Sequence, residues 1–205
     1  MQGRPSEALA LYLELLEASP DREEILLNAL QAAVEASDWQ QVRRLALRAA
    51  TVSPGSLPAK EALAQADFAE ERFEEALAAF RELNAVAPAF LEPWYYIGAC
   101  LFRLGRYTEA AEALQGALRI DSRHLESRLA LAEALRLDGR LEEARAALES
   151  VADSPQATAE AWLRLGLLRA ETGQLEEALL AAEQARQLGA PEDHPDLVQL
   201  HAAVA

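Results

Sequence analysis

The feature that most constrains this chain is a step of 34 residues that recurs along most of its length. The plainest unit runs from Leu91 to His124. In its first half Trp94, Ile97, Gly98 and Leu101 fall at i, i+3, i+4 and i+7, one apolar stripe on a helix. Leu104-Gly105-Arg106 breaks that helix, and Tyr107, Ala110, Ala111, Leu114, Ala117 and Leu118 carry a second one in the same period. Moving forward by 34 gives Leu131, Ala132, Leu135, Gly139, Leu141, Ala144 and Leu148, and again Trp162, Leu165, Gly166, Gly173, Leu175 and Ala178. Moving back gives Leu63, Ala64, Phe73, Ala76 and Phe80, then Leu26, Trp39 and Val42, while Pro20, Pro54 and Pro88 keep the same interval. A period of this length predicts helical hairpins stacked in an array, each covering the apolar face of the next.

These residues resemble the tetratricopeptide repeat (TPR) family, whose pattern has an aromatic, Leu-Gly, a mid-repeat Ala, a large apolar residue and a closing Pro. Trp94, Ile97-Gly98, Tyr107, Ala110, Leu114 and Ala117 match it, as do Trp162, Leu165-Gly166, Ala178 and Ala185. The resemblance covers essentially the whole chain. It implies an all-α fold, a right-handed superhelical α-solenoid of stacked antiparallel helix hairpins. As a single array over residues 1–205, the beat places the second helix of a truncated repeat at about 3–20. Full repeats follow at 23–56, 57–90, 91–124, 125–158 and 159–192, and a capping helix at 193–205. Because the chain opens on a second helix, we expect it to have been excised from a longer protein.

Several positions depart from the pattern. Leu30 stands where the family has a small residue and Ala33 where it has a large one, an exchange that conserves volume. The second full repeat departs at Asp67 and has Glu71-Arg72 in place of a glycine turn, and Arg169 replaces a large apolar residue, which predicts looser packing near the C-terminal end.

Composition removes several function classes. A formal net charge of −15 leaves no basic stripe for nucleic acid and disfavours an anionic membrane surface. No apolar run approaches the roughly 18 residues of a membrane span. The single cysteine, Cys100, excludes an internal disulfide and reads as a small buried hydrophobe. His194 and His201 lie seven apart, but no Cys or Asp is spaced to complete a metal set. Glu142-Glu143 and Glu176-Glu177 sit in first turns of helices, where they favour the positive end, so no acid–base pair, phosphate loop or nucleophile elbow is present. We expect no enzyme activity, cofactor or metal. Arginine outnumbers lysine, Lys60 being the only lysine, which fits a GC-rich bacterial genome; the cytoplasm is the default location.

In the TPR family the first helices of successive hairpins line a concave face. Carried over by position, the resemblance implies a peptide-binding groove of Asn28, Gln31 and Val34, then Glu61, Gln65 and Phe68, then Tyr95, Ala99 and Phe102. It continues with Leu129, Glu133 and Arg136, then Leu163, Leu167 and Ala170. Members that clamp a C-terminal carboxylate use Lys, Asn and Arg. Asn28 and Arg164 fit that pattern, but Leu27, Glu126 and Glu160 stand where cations are needed, which argues against the clamp. The expected function is a protein–protein interaction scaffold holding a partner peptide or helix, with basic flanks to match Glu24, Glu92, Glu126 and Glu160. The alternatives are a regulatory or substrate-presenting arm of a larger enzyme and a self-assembly module. For the last, Leu9, Tyr12 and Leu16 form the expected edge for a homodimer, because the first helix that would cover them is absent.

Overall fold

The computed structural model describes residues 4–155 and 157–204. Among these residues the chain forms α1 (Pro5–Ala18), α2 (Glu23–Glu35), α3 (Trp39–Val52), α4 (Leu57–Ala69), α5 (Phe73–Val86) and α6 (Leu91–Arg103). It continues with α7 (Tyr107–Ile120), α8 (Leu125–Leu137), α9 (Leu141–Ala152), α10 (Ala159–Glu171), α11 (Leu175–Gln187) and α12 (Pro195–Val204), with no strand. The path divides after Leu104 into two compact units.

The elements begin and end for local reasons. Asp38, Ser56, His124 and Thr158 each accept a hydrogen bond from the backbone N–H three residues on, which caps α3, α4, α8 and α10. Within several hairpins the first helix closes on one residue with a left-handed backbone. Gly139 and Gly173 take that role at φ 80°, and Ser37 and Glu71 take it at φ 55° and 61°. The hydrogen bonds are the same in both cases. Arg72 N–H donates to Asp67 C=O at 2.8 Å and Arg140 N–H to Leu135 C=O at 2.9 Å, each satisfying a carbonyl at the helix end.

In the first unit each helix packs on the next, and α2 also touches α4. Its core joins Leu9 and Leu16 to Leu26, Ala29, Leu30 and Ala33, so the exchanged pair Leu30 and Ala33 lies in one buried cluster. This corrects the expected self-association edge. Leu9 and Leu16 are only 5% and 3% exposed, and Tyr12 packs partly buried beside them, because this stripe faces α2. The large apolar side chains on the outside of α1 are Leu11 and Leu15, 62% and 51% exposed.

Asp67 is explained by ion pairs. Arg43 reaches it from α3 at 2.7 Å, Arg72 pairs with it from the turn, and both arginines also meet Glu70. Glu71, in the strained turn, pairs with Arg103 at 3.2 Å, and that guanidinium sits 4.4 Å from the centre of the Phe73 ring.

In the second unit α7 packs on α8, α8 on α9, α9 on α10 and α10 on α11, and α12 lies across both α10 and α11. Leu197 and Leu200 of α12 are fully buried with Leu163, Ala178, Ala182 and Ala185. Gly166 makes this fit possible, since a Cβ there would come within 2.9 Å of Leu200 Cδ1 and 3.3 Å of the Ala178 carbonyl oxygen. Arg169 is accommodated by pairing with Glu149 at 3.3 Å and donating to the Glu177 carbonyl.

Candidate partner-binding faces

In the first unit, Asn28 and Gln31 are placed on α2, where Gln31 is exposed and donates to the Glu35 carboxylate at 2.9 Å. On α4, Glu61, Gln65 and Phe68 are half-buried, with the Gln65 amide donating to Glu61 at 3.4 Å. Burial raises the Glu61 carboxyl above the ordinary glutamate range, and the negative charge of Glu92 adds to the effect. On α6, Tyr95, Ala99 and Phe102 are likewise half-buried. Phe68 and Tyr95 are built into one cluster of rings. Phe68 meets Phe73 and Tyr96 edge-on at 5.5 and 5.6 Å, Tyr96 stacks on Phe80 at 4.6 Å, and Tyr95 meets Tyr96 edge-on at 5.4 Å. These rings therefore work inside the fold, whatever else they touch. Cys100 is buried, and burial pushes its thiol up to about 12, which keeps it protonated.

The second unit holds a formed groove of about 800 Å3. Ala132, Glu133 and Arg136 of α8 make one wall, and Glu160, Arg164, Leu167, Ala170 and Glu171 of α10 form the base. The other wall is Asp196, Gln199 and Ala203 of α12 with His194 just before it, and Leu148 of α9 lies buried behind the lining. Arg136 is held by Glu133 at 2.8 Å and, across to α10, by Glu171 at 3.2 Å. These bonds raise its affinity for its proton, those to Glu133 foremost. Arg164 pairs with Glu160 at 2.6 Å.

Of the residues expected from the resemblance, the structure brings Glu133, Arg136, Leu167 and Ala170 together in this groove. It removes Leu129 and Leu163 from it. They are 6% and 1% exposed, and Leu163 packs against the buried leucines of α12, so neither can touch a ligand. The contribution of the last helix was missed. One more step of 34 from Glu160 lands on His194, and that signal was available in the sequence. His194 Nδ1 accepts the Asp196 N–H at 3.2 Å, and His201 Nε2 faces Arg186 at 2.9 Å. Among the described residues no group of three or more His, Cys, Asp or Glu is arranged to hold a metal ion, and no helix is long and apolar enough to cross a membrane.

Tetratricopeptide repeat models match residues 61–124, 101–163 and 159–187, which together span most of the chain. The chain belongs to the tetratricopeptide repeat family. No curated protein matches its sequence. Among solved structures, a thermophilic TPR protein of Thermus thermophilus is 22% identical with a TM-score of 0.68, the match covering 89% of this chain and 99% of the other. YrrB, a TPR protein with an unusual peptide-binding site, is 18% identical with a TM-score of 0.71, over 93% and 97% of the two chains. MamA of Desulfovibrio magneticus RS-1 is 16% identical with a TM-score of 0.73, over 84% and 97%. At these identities the likeness is one of fold. A TPR fold is one that supports protein–protein interaction.

Proposed function

We propose that this TPR protein is an interaction scaffold whose groove between α8, α10 and α12 holds a segment of a partner chain. The observation that carries this reading is the groove itself. Half-buried Leu167 and Ala170 form an apolar floor, and the flanking arginines are held in place by their carboxylate partners. Fixed polar groups around an apolar base favour a guest with a few apolar side chains over a rigid small molecule of one charge. The net charge of −15 supports protein over nucleic acid as the guest class. The unusual peptide-binding site of YrrB, which shares this fold, supports a peptide in particular. In the first unit Phe68 of α4 and Tyr95 and Tyr96 of α6 are engaged with one another, which supports the second unit as the principal contact.

The test is a partner captured by the whole chain and its affinity for a variant. Leu167→Glu places a charge on the half-buried floor and should weaken binding at least tenfold, about 1.4 kcal/mol, while circular dichroism shows the helices retained. Unchanged affinity in a folded variant would remove the groove from consideration.

A further inference from the structure

Given the groove as the binding face proposed above, we infer that its occupant is a basic segment, and that α12 is the element that selects it. The lining contains four carboxylates, Glu133, Glu160, Glu171 and Asp196, against two guanidiniums, Arg136 and Arg164. Both cations are already committed. Arg136 donates to Glu133 at 2.8 Å and to Glu171 at 3.2 Å, and Arg164 donates to Glu160 at 2.6 Å. An acidic guest would have to draw an arginine away from its partner and leave that carboxylate unpaired beside it. A lysine or arginine of the guest meets the reverse situation. Each carboxylate has lone pairs beyond those that its arginine uses. Asp196 stands outside both arginine pairs, and it enters the groove from α12.

Without α12 the lining would carry three carboxylates against the same two arginines; with it the excess of negative charge doubles. The helix that buries Leu197 and Leu200 against α10 and α11 therefore also sets the electrostatic preference of the groove through the adjacent side, which carries Asp196. The guest that fits places an apolar side chain over Leu167 and Ala170 and directs lysine or arginine side chains toward Asp196 and Glu171.

The experiment is selection of a displayed library of random peptides on the full chain, with counter-selection on Leu167→Glu, followed by affinity measurements on the enriched peptides. Enrichment of peptides that combine an apolar residue with lysine or arginine supports the inference. Asp196→Asn should then weaken them roughly two- to fivefold, the size of a partly exposed ion pair. Asp196→Lys should weaken them further and favour counterparts with glutamate in place of the basic residues. Groove-dependent peptides that are neutral or acidic, or that ignore the Asp196 variants, overturn the inference and leave the groove reading standing. Peptides that bind the wild type and Leu167→Glu equally overturn both.

Discussion

The two units make the same hairpin by different means. In the first, Ser37 and Glu71 hold the left-handed backbone position that Gly139 and Gly173 hold in the second. A side chain there is strained, because its Cβ crowds the neighbouring carbonyl. At Glu71 the strain is accompanied by contacts that glycine could not make, an ion pair to Arg103 and, through it, the Phe73 ring. The cores differ in the same sense. Around α4 to α6 the contacts are rings, with Phe68, Phe73, Phe80 and Tyr96 in one cluster, whereas the closing layer of the second unit is alanine and leucine against Leu197 and Leu200. The comparison shows that the repeat prescribes a backbone path and leaves each interface to be filled locally, as expected where units contact mainly their neighbours.

If the first unit depends on its ring cluster, Phe80→Ala should be the most damaging change. Loss of a fully buried ring stacked on Tyr96 costs about 3–5 kcal/mol, read by chemical denaturation, with resonances of α4 to α6 affected before those of α8 to α12. A uniform loss in both units would break the distinction. In the second unit, Gly166→Ala should cost about 1–3 kcal/mol, because the added methyl meets Leu200 and the Ala178 carbonyl. Faster amide exchange in α12 than in α8 would locate the effect. The turns give a smaller and opposite pair. Gly139→Ala should destabilise by about 1–2 kcal/mol. Glu71→Gly should stabilise by up to about 1 kcal/mol, the relief of strain being partly offset by the lost pair with Arg103. Equal losses in the two variants would mean that the backbone requirement differs.

The smallest effect is electrostatic. The Glu61 carboxyl has a folded-state pKa above its unfolded value, because burial and Glu92 disfavour its charge. Its contribution to stability is thus fully present below the unfolded pKa and is lost as pH rises through the folded one. Glu61→Gln should raise the melting temperature at neutral pH and flatten this part of the pH profile; an unchanged profile would contradict the assignment.

Much of this was legible in the residues. The periodicity of Trp94, Ile97 and Leu101 and the breaks at Gly105, Gly139 and Gly173 place helices and turns, since apolar spacing and left-handed turns leave local marks. The fully buried pair Leu197 and Leu200 lies on the apolar stripe that the sequence shows after Pro195. The site was less legible. Leu129 and Leu163 share the step of 34 with half-buried Glu61 and Tyr95, yet they are covered, because burial depends on which side chain lies across the seam and a single-chain period does not encode that. Leu9 and Leu16 were misplaced for a related reason. The α1 helix is apolar on more than one side, and only the packing of α2 decides which stripe is inside. The pairing of Arg136 across to Glu171 was not visible either, since it joins residues of two helices through their relative placement.

The most direct test of the central claim is hydrogen–deuterium exchange on the whole chain with and without a bound partner. The account predicts slowed exchange in α8, α10 and α12, with α2 and α4 unchanged. Protection confined to α2, α4 and α6, with α8, α10 and α12 exchanging as in the free protein, would contradict it.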